Sequence, residues 1–186
     1  DVNSAAEKCK EKLGDRWEVF ANYWRTTQLE YTWLRNLMKR HKDFWMITED
    51  SLDKSMKVFN IETSMKNELL DLYKVLLSYP EVRETLEKLK EKNYKLSILS
   101  NGTPSLLNQL VSNNNLENIF DDIFSIEEVG VFKPDSKVYE IPIKKYKIQK
   151  DEIAFLSANT WDVSGAGNFG YNSIWVNRNN GIFDNL

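Results

Sequence analysis

At 186 residues the chain is long enough for one good-sized domain, or for a core domain with a smaller companion, and it can bury a hydrophobic core. Apolar residues make up 41% and charged residues 28%, with a net charge of −3, which fits a soluble globular protein and excludes a basic nucleic-acid footprint. No apolar run reaches the roughly 20 residues of a membrane span. The one cysteine, Cys9, excludes an intramolecular disulfide and has no clustered Cys or His for zinc, so a reducing cytoplasm is the default.

From residue 3 to about 78 the pattern is helical. Apolar positions in EVFANYWRTTQLEYTWLRNLM (18–38) recur at three- and four-residue spacing, and TEDSLDKSMKVF (48–59) opens with Thr48 as an N-cap candidate. PEVRETLEKLKEKN (80–93) predicts a further helix, with Pro80 suited to its first turn. The lysine runs KLKEKN (88–93) and IKKYK (143–147) read as solvated helix faces.

From Pro80 short apolar runs alternate with helices: KLSILS (95–100), DDIFSI (121–126), EIAFLS (152–157) and SIWV (173–176). This alternation predicts a parallel sheet covered by helices, an α/β fold. The tripeptide NNN (113–115) ends a helix, and NRNNG (177–181) is a turn-rich tail.

One string, GAGNFG (165–170), fits the glycine fingerprint of dinucleotide-binding folds. In those folds the first glycine follows its strand directly. Here SANTWDVS stands between Leu156 and Gly165, and the partner carboxylate would fall at the last residues of the chain. The string is read instead as a helix whose small residues permit close packing on the sheet.

In open parallel sheets the reactive groups gather at the carboxyl ends of the strands. Those ends read LSNGT (99–103), GVFKPD (130–135) and SANTWD (157–162), in that order after successive predicted strands. Each is weak alone, and their order and spacing together are specific. With WRTTQLEYTWLRNLM (24–38), HKDFW (41–45) and VFKPDSKVY (131–139), the chain resembles, over nearly its whole length, the type II L-2-haloacid dehalogenases of the haloacid dehalogenase superfamily.

The resemblance implies a Rossmann-like core over residues 80–186 and a helical cap over residues 1–79. It also implies homodimerisation and hydrolysis of short L-2-haloacids with no metal or organic cofactor. In that chemistry an aspartate displaces halide from C2 and water hydrolyses the resulting ester. By resemblance, Ser100 and Lys133 hold the substrate carboxylate and orient the nucleophile, while Arg25, Asn101 and Trp161 cradle the halide. Ser157, Asn159 and Asp162 place the hydrolytic water, Tyr139 supports them, and Leu29 and Phe44 line the apolar wall. Read as residues alone, Arg25 is a partner for Glu30 or another cap acid, and Trp161 a core residue.

Superfamily phosphatases place a second carboxylate for magnesium at the position that here reads Ala158, so that rival is disfavoured. The family's nucleophile stands in a strand ending DAYGTL or similar, and no such strand is present among the 186 residues. Asp1 corresponds to the residue just after that motif and is no substitute. The expectation is therefore a chain cut at both ends, lacking the central strand that would sit between KLSILS and EIAFLS. Without that nucleophile, an inactive remnant or binding module of the same fold stands as the alternative.

Overall fold

The structure, a computed structural model, describes residues 10–186, apart from the side chains of Glu11 and Lys12. Cys9 and Asp1 lie outside the described residues. The chain divides into two compact units, Asp1–Ser125 and Ile126–Leu186.

The first unit opens with α1 (Lys10–Leu13), a short 3-10 turn (Gly14–Arg16), α2 (Trp17–Leu37), α3 (Phe44–Phe59) and α4 (Lys66–Tyr73). Phe20 and Trp24 of α2, Leu52 and Met56 of α3, and Leu69, Leu70 and Tyr73 of α4 close on one another as a buried cluster. Each such side chain contributes about 1.5–3 kcal/mol by leaving water. Rings reinforce it: Trp24 and Tyr73 lie 4.9 Å apart at 57°, and Phe20 meets Phe59 edge-on at 5.6 Å.

Helix α3 corrects one expectation. It begins four residues before Thr48, where the Asp43 carboxylate accepts from the Met46 N–H at 2.8 Å as the N-cap. Thr48 is fully buried inside the helix, donating to the Phe44 carbonyl. The helix ends at Asn60 in the left-handed region, a conformation asparagine tolerates better than most residues.

The same unit continues through α5 (Val82–Glu91), β1 (Ser97–Ser100), α6 (Pro104–Asn113) and β2 (Asp122–Ser125). Pro80 sits in the turn before α5 rather than inside it. No residue of α5 is buried, in accord with a solvated lysine-rich face, although its partly buried Val82 and Leu86 pack beside Val111, Leu116 and Ile119. Strands β1 and β2 pair in parallel from Ser97↔Asp122 to Ser100↔Ser125. The Asp121 carboxylate pins the entry by accepting from the Leu96 N–H and from Lys90, and the Leu96 bond leads in holding that carboxyl below the usual range.

The second unit comprises α7 (Ser136–Tyr146), β3 (Ala154–Ser157), α8 (Thr160–Phe169) and β4 (Asn172–Trp175). Strands β3 and β4 pair in parallel from Ala154↔Asn172 to Ser157↔Trp175. Thus all four expected strands form, and among the described residues each sheet has two of them. In both pairs a helix makes the crossover, as parallel strands require. Among the described residues no helix is long and apolar enough to cross a membrane.

The glycines of GAGNFG have structural work. A Cβ on Gly165 would come within 2.6 Å of the Pro134 Cβ and 2.8 Å of the Tyr139 hydroxyl, and one on Gly167 within 2.9 Å of the Ser173 Oγ on β4. Gly170, at φ 111°, ends α8 in the left-handed region. Close packing on the neighbouring segments, not phosphate binding, accounts for them.

Candidate functional site

The second unit builds a buried polar cluster. Lys133 lies in the GVFKPD connection, followed by a cis peptide to Pro134, while Asp162 stands in the first turn of α8, where the helix field favours an anion. Lys133 Nζ is 3.0 Å from Asp162 Oδ2, and the two residues are 5% and 4% exposed. The Tyr139 hydroxyl donates to Asp162 Oδ1 at 2.8 Å and lies 3.3 Å from its carbonyl. Both carboxylate oxygens are thereby engaged.

Aromatic packing dries this cluster. Lys133 Nζ sits 4.7 Å from the Phe155 ring centroid, and Tyr139 meets Phe155 and Tyr171 edge-on. Burial pushes the Lys133 ammonium below its ordinary pKa, with Asp162 pulling it back up. Burial likewise raises the Tyr139 phenol, and the Asp162 charge adds to the rise. Tyr139 therefore stays a hydrogen-bond donor, and Lys133 is a compact charge held in a low dielectric where its field is strong.

The ends of β1 and β3 share one turn chemistry. Ser100 Oγ accepts from the Gly102 N–H at 3.1 Å, and Ser157 Oγ accepts from the Asn159 N–H at 3.2 Å. Each serine hydroxyl, fixed by the backbone two residues on, keeps its own proton to donate. Asn159 is the N-cap residue of α8, and half-buried Trp161 follows in its first turn. Asn101 is half-buried at the exit of β1.

Arg25, Leu29 and Phe44 belong to the helical part of the first unit. Arg25 Nη1 donates to Gln28 Oε1 at 2.6 Å, while Lys54 lies 3.9 Å from Glu30, so the expected alternative pairing of Arg25 with Glu30 is replaced by an amide contact. Leu29 is half-buried and Phe44 buried at the start of α3. Sequence reasoning missed Gln28, Thr48 and Tyr73, a buried polar set that holds Arg25. The signal was present: Thr27, Gln28 and Thr32 share the buried face of α2 with Phe20 and Trp24.

A separate cavity of about 300 Å³, lined by Asp43, Trp45, Lys74, Thr103, Ser105, Leu106 and Gln109, holds none of the predicted site residues. Among the described residues no group of three His, Cys, Asp or Glu side chains is placed to hold a metal ion. Asp162 is committed to Lys133 and Tyr139, and the Ala158 carbonyl accepts from Trp175 Nε1 at 3.2 Å. This donor set does not fit a hard divalent cation, which asks for several free oxygens.

Parallel βα units place the protein in the α/β class, and a lysine, an aspartate and a tyrosine gathered in a dry cluster mark a polar site within it. A family model described as haloacid dehalogenase-like hydrolase matches residues 18–176, and the chain belongs to that family. It is 39% identical over 188 residues to an (S)-2-haloacid dehalogenase of Pseudomonas fluorescens, covering 100% of this chain and 83% of that protein. It is 36% identical over 180 residues to (S)-2-haloacid dehalogenase 4A of Burkholderia cepacia, covering 96% and 78%. Among solved structures it resembles the L-2-haloacid dehalogenase of Xanthobacter autotrophicus with chloropropionic acid covalently bound. That match has a TM-score of 0.85 and 35% identity, over 92% of this chain and 70% of that one.

Proposed function

We propose that these 186 residues carry the substrate-holding, halide-accepting and water-placing parts of a hydrolytic L-2-haloacid dehalogenase. The observation that carries this reading is the buried Lys133–Asp162–Tyr139 cluster, in which the carboxylate is spent on an ammonium and a phenol rather than left open for a metal. The names of the relatives, (S)-2-haloacid dehalogenases, support short 2-haloacids as the substrate class.

In this reading Lys133 and Ser100 hold carboxylates, the substrate's and that of an attacking aspartate. Arg25, Asn101 and Trp161 receive the departing halide, which needs diffuse positive charge and weak donors. Leu29 and Phe44 supply the apolar wall. Asp162 with Ser157 and Asn159 places water on the ester, releasing a 2-hydroxyacid and returning the aspartate. Residues 1–79 act as the cap and 80–186 as the core of a cytoplasmic homodimer. Hydrolysis proceeds without a metal or organic cofactor.

The aspartate that would attack, in a DAYGTL-like strand, does not occur among these 186 residues, so turnover is tested with that strand supplied as well as without it. Loss of a covalent nucleophile costs on the order of a millionfold in rate in a serine protease, while binding groups survive. The test is chloride release from L-2-chloropropionate by the 186-residue chain, alone and fused to a strand ending in that aspartate. We expect no release above background alone, and metal-independent release from the fusion that Arg25→Lys largely abolishes. Sustained release by the chain alone, lost in Asp162→Asn, would identify Asp162 as the nucleophile or base and overturn the assignment. Magnesium-dependent hydrolysis of a phosphate ester would overturn the substrate class.

A further inference from the structure

We propose that Gln28 is a positioning residue for Arg25, and that Gln28 and Thr48 tie Arg25 and Phe44 into one preset wall of the site. The proposal rests on the assignment of Arg25 as an anion ligand. Gln28 is fully buried. Its Oε1 accepts from Arg25 Nη1 at 2.6 Å and from the Tyr73 hydroxyl at 3.3 Å. Its Nε2 donates to Thr48 Oγ1 at 2.6 Å, and Thr48 in turn donates to the Phe44 carbonyl at 2.8 Å. The chain of bonds thus runs from the Arg25 guanidinium across α2 to the backbone that presents the Phe44 ring.

The direction of every bond is fixed. Two donors converge on the amide oxygen and fill both its lone pairs, so the amide cannot flip without aiming its own N–H groups at an arginine and a phenol. The next layer is equally determined, with Trp24 Nε1 donating to the Thr48 carbonyl and to Ser51 Oγ at 3.1 Å each. A buried network with donors and acceptors matched in this way favours one arrangement.

An amide is also the suitable partner chemically. A carboxylate at position 28 would hold a guanidinium as firmly but cancel the charge an anionic ligand needs. The amide oxygen fixes Arg25 through one of its five N–H groups and leaves its full positive charge in place. Tyr73 serves the same end: burial raises its phenol, so it remains a donor beside the arginine instead of a competing anion.

The test uses the 186-residue chain, nitrogen-15 labelled, following the Arg25 side-chain N–H signals while sodium bromide or L-2-chloropropionate is added. In the wild type we expect hindered guanidinium rotation and a shift on adding either anion. Gln28→Met should free the rotation and weaken binding about three- to tenfold, the cost of ordering a rotamer-rich side chain on binding. Gln28→Glu should keep the rotation hindered yet also weaken binding, and it decides the matter if the methionine variant does not fold. Wild-type affinity in either variant, or unchanged rotation in Gln28→Met, would overturn the proposal. If neither anion moves the Arg25 signal in the wild type, the anion-ligand assignment fails, and positioning stands or falls on the rotation alone.

Discussion

Lys133 Nζ lies 3.0 Å from Asp162 Oδ2, and neither side chain is more than 7% exposed. Such a pair is costly to break, because the charge left behind stays buried without compensation. Asp162→Asn and Lys133→Met should each destabilise the protein by about 3–5 kcal/mol. The double variant should lose less than the sum, since the second change removes the charge that the first orphaned. Urea denaturation of the four proteins checks this, and additive losses would show that the pair is not coupled. The single Asp162→Asn variant has a further signature. Its Lys133, already pushed down by burial, loses the acid that pulls it back up. Between that depressed pKa and the ordinary lysine value the unfolded chain binds more protons, so stability of this variant should rise with pH there.

The start of α3 separates two candidate caps. Asp43→Ala removes the carboxylate that accepts from the Met46 N–H and should cost about 1 kcal/mol, with faster amide exchange confined to the first turn. Thr48→Val leaves the Gln28 amide without its hydroxyl partner and should cost about 1–3 kcal/mol with no local effect on exchange at Met46. Faster Met46 exchange in the threonine variant would restore Thr48 to the capping role.

That correction shows where the sequence was legible. Periodicity carried all four strands to within two residues, because apolar spacing is a property of the local string: EIAFLS contains its strand, Ala154–Ser157, and SIWV covers all but the first residue of Asn172–Trp175. It did not carry exposure. Leu156 and Ile174 are register partners on β3 and β4, in runs that predict a sheet covered by helices, yet they are 59% and 47% exposed. Capping failed for a related reason, since HKDFWMITED offers both Asp43 and Thr48, and tertiary burial of Thr48 against Gln28 decides between them. Of the site, the order of LSNGT, VFKPD and SANTWD was readable. The bonds of Lys133 and Tyr139 to Asp162 join residues 29 and 23 positions apart, which spacing alone does not specify.

Three buried tyrosines set the alkaline limit. Desolvation leads in raising the phenols of Tyr73, Tyr139 and Tyr171 above their ordinary value. Groups raised in the folded state contribute stability that is present below the unfolded pKa, near 10, and lost as pH climbs past it. Each should therefore subtract about 1.4 kcal/mol per pH unit above pH 10. In a titration followed at 295 nm, Tyr73, Tyr139 and Tyr171 should resist ionisation until the protein unfolds. Ionisation of these three in the folded protein would show that their phenols are open to water.

Gly165 links the packing of α8 to the chemistry of the cluster. A methyl group there would meet the Pro134 Cβ at 2.6 Å and the Tyr139 hydroxyl at 2.8 Å, both closer than real Cβ contacts allow. Pro134 follows Lys133 directly, and the Tyr139 hydroxyl is the group that donates to Asp162 Oδ1. Relief of the clash must displace one of the two, and either movement disturbs a partner of the buried carboxylate. Gly165→Ala should thus cost about 1–3 kcal/mol as overpacking. It should also lower halide release in the strand-completed fusion more than its stability loss explains at a temperature where it stays folded. Adding Tyr139→Phe, which removes the clashing oxygen, should restore part of the stability but not the rate, because the donor to Asp162 is then gone. Gly167→Ala provides the contrast: its near neighbour is the Ser173 hydroxyl at 2.9 Å, away from the cluster, so it should cost stability and leave the rate of the folded fraction intact. Equal rate losses in the two alanine variants would show that α8 packing in general, and not the Tyr139 contact, supports the site.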